Sequence, residues 1–164
     1  MPAYGYGAGK ERMWIVTSLS SMTAPSLAQI TAGVDVSGFL TKGGFARPRS
    51  GNEISVSPVA DRENLTIAGS INNGPLSATF RKDDVAGSDA AWNALTEGSP
   101  YYIVYCGQGG SGVGGAIAAG DKVEVHHGDC LEKSLADNAE NQMAAFTARF
   151  TTRSAPKLDA TVAA

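Results

Sequence analysis

The side chains best suited to bind a metal are His126, His127, Asp129 and Cys130, which lie close together in the sequence. Zinc sites are built from these residue types, usually with two separated groups of ligands. Adjacent residues on a strand point to opposite faces, so the two histidines cannot easily share one ion. No second group of ligands accompanies them. We therefore predict a turn with exposed histidines and no metal site, while an enzyme that uses His126, His127 and Cys130 remains an alternative.

A Gly-rich segment, residues 107–120, follows a strongly apolar run and could in principle hold a phosphate. A phosphate-binding P-loop ends in Gly-Lys-Ser/Thr, and a dinucleotide-binding loop leads directly into a helix. Lys122 lies too far along the chain, and residues 115–120 lack a helical pattern. The nucleophile motif G-x-S-x-G is also missing from the sequence. We expect no catalytic residue and no cofactor, and we interpret residues 107–120 as a flexible hairpin connection.

The composition favours a single domain over residues 1–164 with a lightly charged surface. Only 18% of the residues are charged, against about 25% in a typical globular chain. A surface of small polar groups can pack against copies of itself without removing many ions from water. The net charge of −3 argues against a protein that adheres to nucleic acid, because that affinity comes mostly from Lys and Arg.

Two features of the sequence bear on location. No stretch approaches the roughly 18 consecutive apolar residues that span a bilayer, so no membrane partner is expected. The first ten residues lack the charged and apolar regions of a secretory signal. Synthesis in the cytoplasm, with Cys106 and Cys130 reduced, is the expectation.

Alternation of apolar and polar residues predicts a mainly β protein. The clearest strand runs from Phe146 to Phe150, and we expect both phenylalanines in the core. The run 101–106 is apolar on both faces, as in a central strand covered from both sides. One helix is predicted from Ser88 or Asp89, two to three turns long, which docks on the sheet through Trp92 and Leu95. Residues 131–135 are a weaker helix candidate.

Four segments lack regular patterning: an N-terminal arm (1–12), a projecting loop (37–62), the Gly-rich loop (107–120) and a C-terminal extension (154–164). Loops longer than about 12–15 residues in a compact domain are usually functional or mobile. Interaction with other chains is the natural interpretation. The side chains that we expect to make contacts between subunits or rings are Tyr4, Tyr6, Phe39, Phe45, Arg47 and Arg49.

The order of these features resembles the tail tube (major tail) proteins of long-tailed bacteriophages, particularly siphophages of actinobacteria. The matching stretches run through most of the chain and include 24–30 (APSLAQI), 33–36 (GVDV), 61–66 (DRENLT), 90–95 (AAWNAL), 101–105 (YYIVY) and 146–150 (FTARF). The Gly-rich loop and the pair His126 and His127 depart from the family pattern.

The resemblance implies a β-sandwich or barrel with a flanking helix. It further implies homohexameric rings, in which strands of each subunit build one inner β-barrel. Rings would stack through a long loop, here 37–62, and the chain termini. The tube would conduct double-stranded DNA from the virion without sequence-specific binding. Tape measure, tail terminator and distal tail proteins would be its other partners. A secretion-system tube protein of similar fold and a monomeric ligand-binding β-barrel remain alternatives.

Overall fold

The computed structural model describes residues 10–56, 65–83, 88–136 and 143–164. It confirms the predicted mainly β fold with a flanking helix. The elements of the described residues are β1 (Arg12–Val16), α1 (Leu27–Ala32), β2 (Val34–Asp35), β3 (Leu40–Ala46), β4 (Arg49–Ser55), β5 (Thr66–Asn73), β6 (Leu76–Arg81), α2 (Ala90–Ala94), β7 (Pro100–Cys106), a 3₁₀ turn (Val113–Gly115), β8 (Lys122–Leu135), β9 (Ala145–Phe150) and β10 (Lys157–Thr161).

The strands form one large antiparallel sheet in the order β2-β1-β7-β8-β9-β6-β3, with β10 beside the start of β8. β8 is long enough to serve two partners: it pairs with β7 over residues 124–129 and with β9 over residues 130–135. Gly128 lies where the partners change, and a Cβ atom there would sit 1.7 Å from the Thr151 carbonyl oxygen. Only glycine allows this close approach.

The long strand β8 divides the sheet into a β1–β7 half and a β6–β9 half. The main core is one cluster of side chains that both halves share. Met13, Ile15 and Ile103 from the β1–β7 half join Phe80, Phe146 and Phe150 from the β6–β9 half. Because strands from both halves share this cluster, the sheet curls over its own face. Its largest members are fully buried. Burying one side chain of this size stabilises the folded chain by about 1.5–3 kcal/mol relative to leaving it exposed.

A second cluster covers the opposite face of the β1–β7 half. Val104 and Cys106 of β7 pack there with Val125 of β8, beneath Ile30 of α1 and Ala160 of β10. The strand β7 is therefore covered on both faces, which confirms the interpretation of its apolar run as a central strand.

The helix α2 begins where the sequence predicts, because the Asp89 carboxylate accepts a hydrogen bond from the Trp92 backbone N–H at 3.2 Å. It is shorter than expected and ends at Ala94, since Leu95 adopts an extended conformation. Leu95 is buried in the main cluster, and the Trp92 ring meets Phe146 edge-on at 4.9 Å between centroids. None of the described helices is long and apolar enough to cross a membrane.

Several expectations from the sequence are wrong. Residues 40–46 and 49–55 are the strands β3 and β4, not an irregular loop, while 57–62 lie outside the described residues. Residues 131–135 continue β8 instead of forming a helix. The C-terminal extension contains β10, whose Ala160 is buried against the sheet. The helix α1 was not expected, because it lacks a side-chain cap and has only six residues.

Candidate assembly surfaces

Strands β4 and β5 form a two-stranded hairpin that pairs with no other described strand; we call residues 49–56 and 65–73 the arm. Ile54 pairs with Ile67, and the Val56 N–H donates to the Leu65 carbonyl at 3.0 Å. Since alternate residues share a face, Ile54, Val56 and Ile67 lie together, with exposed fractions of 51%, 43% and 52%.

The opposite face of the arm is polar near this point, with Glu53 and Ser55 on β4 facing Ala68 and Thr66 on β5. The arm is thus amphipathic around the Ile54–Ile67 pair, and nearer its base Ile71, opposite Gly51, is also exposed. A single two-stranded hairpin is at best marginally stable in water, so an apolar surface on it is typical of a docking element.

The base of the arm is fixed to the body of the chain by Arg47. Its Nε atom lies 2.7 Å from the Glu124 carboxylate, and its guanidinium group lies 4.8 Å from the Tyr105 ring centroid. His126 Nε2 approaches the same carboxylate at 3.3 Å. Burial alone would raise the pKa of Glu124, but the hydrogen bond to His126 and the charge of Arg47 outweigh it and hold that pKa below its ordinary value.

A cleft of about 190 Å³ opens beside this tether; we call it the arm-base cleft. Its apolar wall comes from Leu76, Leu158 and two prolines. Asn73 also lines it, and the Asn73 Oδ1 atom is buried with no hydrogen-bond partner in the described part of the chain. The full lining is Arg47, Pro48, Arg49, Asn73, Gly74, Leu76, Glu124, His126, Thr152, Pro156 and Leu158.

Two strand edges remain open at opposite ends of the sheet formed by β3, β6, β9 and the end of β8. Among the described strands, β3 pairs only with β6. The end of β8, residues 131–135, pairs with β9 on one side and with no described strand on the other, where the Lys133 backbone N–H donates to the Glu97 carboxylate at 2.9 Å. Leu131 and Leu135 are exposed there. Open edges offer backbone N–H and C=O groups to another chain.

The outward face of this same sheet is polar. Thr79 and Thr147 pair across β6 and β9, with their hydroxyl oxygens 3.0 Å apart. Arg149 is neutralised by Glu132 at 2.9 Å. Arg81 lies further along on the same face. Hydroxyl and charged groups share this outward face, whose side chains on β6 and β9 are Ser77, Thr79, Arg81, Ala145, Thr147 and Arg149.

The contact residues predicted from the sequence lie in varied surroundings. Phe45 is only 8% exposed and its ring lies 5.1 Å from that of Tyr105, so it belongs to the core of its own chain. Phe39 is partly buried against the same core. Arg47 contacts Glu124 and Tyr105 of its own chain. Arg49 is exposed as the first residue of β4.

Tyr4 and Tyr6 lie outside the described residues. The side chains near the predicted positions that offer exposed apolar surface are Ile54, Val56 and Ile67. Their short alternations, 54–56 and 65–67, were the available signal.

The two histidines lie within β8 and not in a turn, which corrects the expectation. They point to opposite faces: His126 is buried with its ring edge-on to Phe45 at 5.5 Å, and His127 stacks on Tyr102 at 4.2 Å. In the described ranges, no three or more His, Cys, Asp and Glu side chains are grouped so that they could hold a metal ion.

The Gly-rich connection between β7 and β8 is tied down by one carboxylate. Asp121 accepts hydrogen bonds from the backbone N–H groups of Ser111, at 3.0 Å, and Ala118, at 2.7 Å. Burial opposes ionisation, but these hydrogen bonds outweigh it and lower the pKa of Asp121. Within this loop Ile117 is buried in the second cluster, so the segment has an anchored conformation.

Comparison with known proteins identifies a family and similar solved structures. A family model described as "Phage tail tube protein" matches residues 1–164. No curated protein matches the sequence. Among solved structures, a chain of the six-fold symmetrised cryo-EM structure of the anti-feeding prophage baseplate is 11% identical, with a TM-score of 0.54 over 90% of this chain and 91% of that chain. At this identity the structural likeness concerns the fold.

Proposed function

The chain belongs to the phage tail tube protein family, and we propose that six copies close into a ring and that such rings stack into a tube that conducts double-stranded DNA. The number six is supported by the similar baseplate structure, which is described as six-fold symmetrised. The observation that carries the assembly is the arm, whose apolar face has no cover within the described chain.

Ring closure is supported by the two open edges. The edge of β3 and the edge at residues 131–135 lie at opposite ends of one sheet, so pairing one with the other joins copies head to tail. A head-to-tail interface closes into a ring when the rotation between copies fits. Closure also removes both edges from uncontrolled pairing and covers Leu131 and Leu135.

The bore of the ring is formed by the outward hydroxyl-rich face of that sheet. Joining these sheets edge to edge builds one barrel with this face on one side and the cores on the other. Thr79 and Thr147 lie at its centre, the Glu132–Arg149 pair adds no net charge, and Arg81 adds one positive charge in each copy. With one net positive charge per copy among these side chains, the face lacks the dense basic lining whose counterion release makes surfaces adhesive to DNA.

Stacking is assigned to the arm. It is the described element with the largest group of exposed aliphatic side chains, and it extends away from the sheet. A contact between rings is heterologous and does not close, so it propagates a filament. The tube belongs to a virion, and tape measure, tail terminator and distal tail proteins are the partners that its length and ends require.

Negative-stain electron microscopy and sedimentation of the purified chain test this function. Rings and tubes with a central hole are the expected result. A single species near the 16.8 kDa mass of one chain that never assembles, at any concentration or salt, contradicts it.

A further inference from the structure

The arm-base cleft and the apolar face of the arm are two unfilled surfaces on the same chain. Leu158, which lines the cleft, is 46% exposed. On the arm, Ile54 and Ile67 are exposed to a similar extent. Apolar surface of this kind, concentrated in two places, is typical of two halves of an interface.

The arm cannot fill the cleft of its own chain. The cleft is lined by Arg49 and Asn73, the first and last residues of the paired strands. Ile54 lies five residues further along β4, which is about 16 Å away at the rise of an extended strand. A hairpin whose strands remain paired does not fold back over that distance. Any arm that occupies the cleft therefore comes from another copy.

We propose that the Ile54–Ile67 face of the arm of one copy docks in the arm-base cleft of a copy in the adjacent ring. This inference rests on the proposed stacking of rings and names the receptor surface for the arm. The interface is heterologous, because the arm and the cleft are different surfaces, and each bound copy leaves its own arm free to bind the next. Stacking therefore continues for as long as copies are added.

The size and chemistry of the cleft suit this occupant. A cavity of about 150 Å³ lined by apolar groups holds a benzene molecule, so 190 Å³ accommodates an aliphatic side chain. Leu76, Leu158, Pro48 and Pro156 provide apolar contacts. Arg47 is already neutralised by Glu124, so docking an apolar group beside it leaves no unpaired ion at that position.

The polar side of the cleft also lacks a partner. The buried Asn73 Oδ1 atom has no donor in the described residues, and an unsatisfied buried acceptor is unfavourable. The outer edge of β4 pairs with no described strand, so it offers backbone N–H groups. An arm from another copy thus brings backbone N–H groups to the cleft together with the apolar side chains.

Crosslinking between two variants tests the proposal. Ile67→Cys and Leu158→Cys are made in separate chains, mixed before assembly and treated with a short bis-maleimide. Both native cysteines, Cys106 and Cys130, are buried, which limits background reaction. Covalent dimers are expected from the mixture and not from either variant alone. Tubes that form from the mixture without such dimers overturn the proposal and leave the proposed function intact.

A second measurement does not depend on cysteine chemistry. Leu158→Glu is expected to leave ring formation unchanged and to reduce the fraction of rings in tubes about tenfold or more, since it removes one buried aliphatic contact and adds a charge. The matched control is Val113→Glu, at a fully exposed position of the Gly-rich loop. Normal tube yield from Leu158→Glu overturns the receptor assignment. Failure of the unaltered chain to form rings or tubes overturns the proposed function as well.

Discussion

Ile54 lies directly opposite Ile67 where β4 pairs with β5, and about half of each side chain is exposed. A cross-strand pair of this kind adds about 0.2–1 kcal/mol to a sheet, which does not explain why both residues are apolar on a two-stranded arm. Cover by a second molecule does, because burial of each side chain then stabilises the contact by a further 1.5–3 kcal/mol or so. The pair links the fold of the chain to its assembly.

Replacing this pair tests the role of the arm. The double variant Ile54→Ser/Ile67→Ser is expected to form rings but few or no tubes, because it removes the apolar docking face. Its stability to urea should change by no more than about 0.5 kcal/mol, as for most exposed positions. The control is Ser55→Ala/Thr66→Ala, a pair on the opposite face of the arm. Tubes of normal length from the Ile variant, seen by electron microscopy, would exclude this role.

Phe146 tests the main core. It is fully buried between Phe80, at 5.3 Å, and Trp92, at 4.9 Å between ring centroids. Phe146→Ala is expected to destabilise the subunit by about 3–5 kcal/mol, measured by urea denaturation. Phe39→Ala, at a partly buried position, should lower the free energy of unfolding by clearly less. Equal decreases in the free energy of unfolding for the two variants would contradict this packing.

Asp121 tests whether the Gly-rich loop is held in place. Asp121→Ala removes the acceptor for the Ser111 and Ala118 N–H groups and should cost about 1–3 kcal/mol. Amide hydrogen exchange in residues 107–120 should become faster, while exchange in β6 and β9 stays the same. Unchanged exchange in the loop would show that the carboxylate does not order it.

The Glu124 tether predicts a dependence of stability on pH. The pKa of Glu124 in the folded chain lies below its ordinary value of 4.5, so ionised Glu124 stabilises the folded state. That contribution is fully present above pH 4.5 and disappears as the pH falls through the lower, folded-state pKa. The difference in melting temperature between the unaltered chain and Glu124→Gln should therefore be largest at neutral pH and shrink below pH 4.5. A difference that is constant from pH 7 to 3 would contradict the ion pair.

The sequence predicted those parts of the fold that rest on clear periodicity. Residues 146–150 alternate strictly, and they form β9 with Phe146 and Phe150 buried. The apolar run of β7 indicated a strand covered on both faces, because no polar residue interrupts it. Asp89 could be recognised as a cap, since the Trp92 N–H lies within reach of its carboxylate.

Other parts could not be predicted because the signal is weak or ambiguous. Gly43 and Gly44 interrupt the alternation of β3 at a shift in its register with β6, so Phe45 resembled a loop residue. Leu131 and Leu135 have helical spacing, but the register of β8 shifts near Leu131, and the strand continues. The strand β4 contains few residues that favour strands, and its pairing with β5 depends on contacts distant in sequence.

The most direct test of the proposed assembly is a cryo-EM reconstruction of tubes grown from the purified chain. It should show six copies per ring, β3 of each copy paired with residues 131–135 of the next, and Thr79 and Thr147 facing the bore. The arm should cross to the adjacent ring. A reconstruction in which Thr79 and Thr147 face the outside, or in which the arm contacts only its own ring, would contradict the assembly proposed here.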